Sequence, residues 1–305
     1  MPSAMLPGMA AKPRIAIVGA GNLGTALAIS LWRAGYVIDT VITRPGRASL
    51  NKARKLAREV DARAITELMM TDLASLRADL VWFCVPDGEI RGVAREFAAQ
   101  VPWKKRGGKR SEWKGKIALH SSGALTSDEL AVFRCRGAAV ASVHPMMTFV
   151  HGSRPGLAGV PFAIEGDAAA VRAARRILAD LGGESFSIRR ADKIAYHAWG
   201  TFASPLFTAL LATGEHVAAL AGVEGKAARR RMIPILLQTL ANYATRDAAD
   251  AFSGPIIRGD VETVKRHLRV LNKIPVARDV YVALARSALR YLPAKNKKSL
   301  LLVLK

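Results

Sequence analysis

The stretch Arg14-Ile15-Ala16-Ile17-Val18-Gly19-Ala20-Gly21-Asn22-Leu23-Gly24 decides the fold. Ile15 to Val18 is apolar and rich in β-branched residues, which reads as a strand buried on both faces. Gly19, Gly21 and Gly24 then fit the spacing G-x-G-x-x-G, and Asn22 to Ala34 carries helical periodicity. A glycine pattern alone is a weak signal; between a buried strand and a helix it gains a mechanism. Gly19 makes the tight turn, Gly21 lets the backbone approach a pyrophosphate at the positive end of the helix, and Gly24 lets that helix pack close to the strand. Dinucleotide binding follows, with Asn22 and Leu23 at the helix start counted with the three glycines as cofactor-binding residues.

Outward from this motif, Val37 to Thr43 reads as a second strand and Ser49 to Val60 as a second helix. Leu80 to Val85 is another buried strand, ended by Pro86, and Asp87 stands where an N-cap belongs ahead of a helix over Glu89 to Gln100. Strands are expected at Lys116 to Leu119, Ala139 to Val143, Phe162 to Ile164 and Ser185 to Ile188, with a helix from Asp167 to Leu181. Continuously apolar strands alternating with helices mean a parallel sheet covered on both faces. From Asp192 the pattern is helical only: Asp192 to Thr213, Glu224 to Tyr243, Asp260 to Leu271 and Pro275 to Tyr291, separated by breaks such as Ser253-Gly254-Pro255. The expected fold is an α/β N-terminal Rossmann-type parallel sheet with an all-α C-terminal domain. Residues 1–12 read as a disordered leader, 13–189 as the nucleotide-binding domain and 190–305 as the helical domain.

The end of the second strand decides which dinucleotide is bound. An NAD site wants an acid there for the ribose 2′-hydroxyl, an NADP site cations for the 2′-phosphate. The sequence reads Thr43-Arg44-Pro45-Gly46-Arg47-Ala48-Ser49, and the nearby acid, Asp39, falls mid-strand, several residues too early. Arg44 offers a planar fork, Arg47 a second charge, and Thr43 and Ser49 hydroxyl donors. NADP(H) is favoured over NAD.

The chain has 305 residues, 50% of them hydrophobic, and a net charge of +22. Much of the excess is local. Lys104 to Lys116 holds seven bases and one acid, Arg44 to Arg63 seven against two, and Arg286 to Lys305 six against none. The bland reading of such runs, a solvated surface, outweighs nucleic-acid contact, although Trp103 and Trp113 in the first run could stack on bases. Two cysteines exclude a disulfide framework, and six histidines without Cys/His or HExxH spacing argue against a metal site. Neither a secretory signal nor an apolar run of membrane-spanning length is present, so a cytoplasmic location and no membrane partner are expected.

Five further motifs carry a family resemblance: Val85-Pro86-Asp87, His120-Ser121-Ser122-Gly123-Ala124-Leu125, His144-Pro145-Met146, Asp192-Lys193-x-x-Tyr196-His197 and Gly254-Pro255-Ile256-Ile257-Arg258-Gly259-Asp260. With the glycine loop, and over about Arg14 to Leu292, they resemble the Rossmann-like proteins with a DUF2520 domain, relatives of pyrroline-5-carboxylate reductase, F420-dependent NADP reductases and β-hydroxyacid dehydrogenases. The resemblance implies an NADP-dependent reductase fold, commonly a homodimer through the helical domain, and adds Val85 and Pro86 to the cofactor-binding residues. Some members act as ketopantoate reductases.

Read from the residues, Lys193 and His197 lie four apart at a helix start and share a face. In β-hydroxyacid dehydrogenases a Lys followed four residues later by Asn occupies the comparable element; here His197 replaces the Asn. Lys193 is the candidate proton donor or electrostatic stabiliser and His197 its positioning partner. Ser121, Ser122 and His144 follow strands, at the edge where α/β sheets bind ligands. Ser122 and His144 are placed with the catalytic group, and Ser121, Tyr196 and Arg258 with substrate, Arg258 as the grip for a carboxylate. The expected activity is NADP(H)-dependent hydride transfer to the carbonyl or imine of a small, anionic substrate, such as a 2-oxo acid. Two other readings stay open: an NADP(H)-binding sensor without turnover, and nucleic-acid association through the basic loop.

Overall fold

The computed structural model describes residues 12–66, 77–100 and 113–305. The expected leader up to residue 11, Trp103 and the basic run from Lys104 to Glu112 lie outside the described residues. The chain forms two compact units, Met1–Gly200 and Thr201–Lys305.

In the first unit β1 (Ile15–Val18), β2 (Ile38–Thr43), β3 (Arg63–Thr66), β4 (Leu80–Phe83), β5 (Ile117–His120), β6 (Ala139–Pro145), β7 (Pro161–Gly166) and β8 (Glu184–Ser187) form one sheet. Its order is β3-β2-β1-β4-β5-β6-β7-β8. The first six positions are the Rossmann order, with the switch point between β1 and β4. All pairs are parallel except β6 with β7, where Val143 lies opposite Ile164. β3 was not anticipated: Arg63-Ala64-Ile65-Thr66 is short, begins on an exposed arginine and shows no alternation.

The period of two in each strand divides the core. Ile15 and Ile17 share one face with Leu80, Trp82, Leu119, Ala141 and Val143, while Ala16 and Val18 share the other with Val81, Phe83, Ala118 and Val140. Helices cover both faces, as continuously apolar strands require. Trp113 belongs to this second layer. It is buried against Phe133, with ring centroids 4.6 Å apart, so the sequence reading of it as a base-stacking residue is corrected: packing with Phe97 and Phe133 holds it inside. Asp39 is also interior, paired with Arg14 at 2.7 Å and Arg63 at 3.2 Å. Burial raises its pKa, but hydrogen bonds from Arg14, Thr40 and Arg63 outweigh this and keep it below the usual carboxylate value.

The helix expected over Asp192 to Thr213 is two helices, Lys193–Ala203 and Pro205–Ala219, broken at Ser204. Pro205 lacks an N–H and disfavours helical backbone in the residue before it, so it starts a helix instead of continuing one. In the second unit the helices Val261–Leu271 and Pro275–Tyr291 enclose a small core of Val264, Leu268, Val282, Ala285 and Leu289. Asp260 caps the first of them by accepting from the Thr263 amide at 3.1 Å. Among the described residues, no helix is long and apolar enough to cross a membrane.

Candidate active site

The carboxyl ends of β1, β2 and β4 enclose a cleft of about 370 Å³. Gly19 turns at φ 108°, and a Cβ there would stand 2.5 Å from the Cys84 carbonyl oxygen. A Cβ on Gly24 would stand 1.9 Å from the Gly19 carbonyl oxygen, so helix Asn22–Arg33 reaches the strand only because that position is bare. Gly21 differs: nothing lies within 4 Å of its Cβ position, which leaves an open cradle at the helix N-terminus. Such a terminus presents free N–H groups and positive potential to an anion.

Gly19, Gly21, Thr43, Arg44, Ser49, Val85 and Pro86 line this cleft. Arg44 and Ser49 stand together, Nε to Oγ at 3.5 Å. Lys52 is a further cation on the lining, one turn beyond Ser49, and Glu89, Gly92, Val93 and Glu96 of helix Asp87–Gln100 complete one wall. Sequence reasoning missed these five; Lys52 was legible as the next residue on the Ser49 face of its helix. The side chains of Arg47, Asn22 and Leu23 lie outside this lining, while the Asn22 and Leu23 backbone N–H groups belong to the helix N-terminus that forms the cradle. Arg47 is exposed outside this lining, the Asn22 amide donates to the Phe149 carbonyl at 3.0 Å, and Leu23 packs into the core.

The next strands along the same edge carry a polar cluster. Lys193, at the start of helix Lys193–Ala203, is only 1% exposed. Its Nζ donates to the Ser122 carbonyl at 2.8 Å and to Ser142 Oγ. Three residues on, Tyr196 OH meets His144 Nδ1 at 2.7 Å. The match is geometric: three helical residues rise about 4.5 Å and two strand residues about 6.6 Å, so Lys193 and Tyr196 can face Ser142 and His144 on one side of β6. Tyr196 is therefore the inward companion of Lys193. His197, the expected partner, is exposed, with its Cδ2 2.7 Å from the Cβ position of Gly123.

Ser122 is the hub. Its amide donates to His120 Nδ1 at 3.1 Å, its hydroxyl to Asp87 Oδ2 at 2.8 Å, and that hydroxyl accepts from the Leu125 amide at 2.8 Å. His120 is fully buried, and with Nδ1 accepting, its Nε2–H donates to the Thr126 carbonyl at 3.0 Å. Ser121 turns inward and accepts from Trp82 Nε1 at 2.8 Å. Arg258 ends the short helix Pro255–Arg258 of the second unit and is exposed.

Burial sets the electrostatics. It pushes Lys193 down to about 8 against the pull of Glu165 and Asp87. It lowers His144 to about 4 and His120 to about 3, with the Lys193 charge adding to both. At neutral pH the site thus holds one ammonium and two neutral imidazoles, while Tyr196, raised by burial to about 12, stays a phenol. A buried cation beside neutral donors can stabilise negative charge developing on a carbonyl oxygen.

Residues 7–145 match the model of the Rossmann-like domain and residues 160–288 that of the domain of unknown function DUF2520. The chain is a Rossmann-like and DUF2520 domain protein. Among solved structures, this DUF2520 protein is similar to a Bacteroides fragilis protein described as an NADP oxidoreductase, at 22% identity over 90% of this chain and 97% of that one, with a TM-score of 0.71. An imine reductase from Myxococcus stipitatus in complex with NADP+ is similar at 20% identity over 95% and 99%, TM-score 0.64. A pyrroline-5-carboxylate reductase from Coxiella burnetii follows at 15% identity over 91% and 98%, TM-score 0.56. At these identities the likeness is one of fold. No curated protein matches the chain at a significant level.

Proposed function

We propose that this protein is an NADP(H)-dependent reductase acting on the carbonyl or imine of a small anionic substrate, a 2-oxo acid such as ketopantoate or a cyclic imino acid. One observation carries the reading: a cleft with an open Gly21 cradle and the Arg44, Ser49 and Lys52 cluster lies on the same sheet edge as the buried Lys193 and Tyr196 and the half-buried His144. The order β2, β1, β4, β5, β6 runs from a 2′-phosphate site through a pyrophosphate site to a reacting site. The names of the structurally similar reductases point the same way.

When bound, the nucleotide supplies the hydride. The protein's own part is to hold the substrate's C=O or C=N in a preorganised field. Lys193 provides the fixed positive charge, and the Ser122 loop, tied to Lys193 and Asp87, holds its position. The carbon gains the hydride and the heteroatom a proton from solvent.

The helical part from residue 190 onward is proposed to pair two copies. Helix Gly225–Thr245 supports the pairing. Among its residues only Ala228 is buried, and Ile233, Ile235, Leu237, Leu240 and Tyr243 are exposed. Apolar surface of this kind marks an interface.

Titration with NADPH and NADH, followed by NADPH oxidation across 2-oxo acids and cyclic imines, tests the reading. The expected result is tight NADPH binding weakened in Arg44→Ala and turnover lost in Lys193→Ala. Failure to bind either nucleotide would overturn it, and binding without turnover of any substrate would favour a sensor.

A further inference from the structure

We propose that Tyr196 is a positioning residue that fixes His144 as the Nε2–H tautomer, making its Nε2–H the hydrogen-bond donor that polarises the substrate's carbonyl or imine. The inference rests on the reductase reading for its chemistry but not for its geometry.

Tyr196 is buried, and among the described residues its hydroxyl has one hydrogen-bond partner, His144 Nδ1 at 2.7 Å. A buried hydroxyl hydrogen without an acceptor costs about 1 to 3 kcal/mol. If Nδ1 carried the ring proton, it would donate to the phenol oxygen and strand the phenol hydrogen. If Nδ1 is bare, the phenol donates to it and both groups are satisfied. The second arrangement is favoured and puts the ring proton on Nε2.

Nε2 lies over Gly123, 2.9 Å from where that residue's Cβ would stand, and His197 Cδ2 borders the same spot at 2.7 Å. A side chain there would press on both rings, so the bare Gly123 is what lets His144 and His197 approach the loop this closely. The groups facing the ring are Tyr196, His197, Gly123 and the charge of Lys193. Burial and the Lys193 charge both oppose a second proton on the ring, so it acts as a neutral imidazole. A neutral imidazole is suited to polarise a carbonyl by hydrogen bonding, as in triosephosphate isomerase. No proton leaves the ring.

The test is long-range ¹H–¹⁵N correlation on ¹⁵N-histidine-labelled protein at pH 7, with His144→Gln assigning the signal. The Nε2–H pattern is expected in the unmodified protein, and a mixture of tautomers in Tyr196→Phe. With a substrate in hand, Tyr196→Phe should also lower kcat about fivefold to tenfold, the net effect of one buried hydrogen bond, with KM for NADPH unchanged. An Nδ1–H or doubly protonated ring in the unmodified protein overturns the proposal, as does a Tyr196→Phe variant with unchanged tautomer and kcat. The NMR arm needs no substrate, so it decides the tautomer even where the reductase reading itself fails.

Discussion

Lys193 Nζ and the Ser122 carbonyl oxygen are 2.8 Å apart in space and 71 residues apart in sequence. The bond ties the start of a helix to the loop that follows β5, and it fixes a cation where water does not reach. A charge in that setting has to be compensated by hydrogen bonds, and the Ser122 carbonyl and Ser142 hydroxyl supply them.

That burial makes stability depend on pH. Lys193 binds its proton less tightly folded, at about 8, than in the unfolded chain, near the ordinary 10.4. Between these values the unfolded chain holds more proton, so the contribution of this group to stability rises with pH and is lowest below pH 8. Urea unfolding at pH 8 and pH 10 should show the unmodified protein gaining about 2 kcal/mol relative to Lys193→Met. An identical difference between the two proteins at both pH values would refute a buried ammonium.

Two glycines of one loop should respond in opposite ways to alanine. Gly24→Ala drives a methyl group into the Gly19 carbonyl, and thermal unfolding should register a loss of about 3 kcal/mol or more. Gly21→Ala meets nothing in the protein, so its Tm should move by only about 2 to 4 °C while NADPH affinity falls at least tenfold. Intact NADPH binding in Gly21→Ala would remove the pyrophosphate from that cradle.

Lys52 lines the cleft beside Arg44 and Ser49, and one charge-assisted hydrogen bond contributes about 1.5 to 3 kcal/mol. Lys52→Ala should weaken NADPH about 10-fold to 100-fold and NADH far less, by fluorescence titration. Equal losses for the two nucleotides would place Lys52 away from the 2′-phosphate.

Much of this was legible in sequence because it depends on short-range pattern. The glycine loop, apolar strands and second-strand arginines each declare themselves within a dozen residues. Ser142 was missed although the signal existed: in Ala139-Val140-Ala141-Ser142-Val143-His144, Ser142 and His144 are two apart and so share a face. The exchange of His197 for Tyr196 as the inward companion was not legible. Both i+3 and i+4 neighbour Lys193 on a helix, and only packing against β6 selects between them. Antiparallel β7 was equally hidden, since strand direction leaves no mark on composition.

The exposed face of helix Gly225–Thr245 gives a prediction on assembly. Sedimentation should return twice the 32.7 kDa chain mass for the unmodified protein and the single mass for Leu237→Arg paired with Ile235→Arg. A monomeric unmodified protein at micromolar concentration would refute the pairing.

Ser122 joins Asp87 through its hydroxyl and Lys193 through its carbonyl. Asp87 opens the same helix whose Glu89, Val93 and Glu96 wall the nucleotide cleft. Engineering of coenzyme preference along that wall therefore acts on a helix whose first residue is joined to Lys193 through Ser122 alone. Substitutions that tilt the helix will be read out as altered turnover, and libraries aimed at exchanging the coenzyme should hold Asp87 constant.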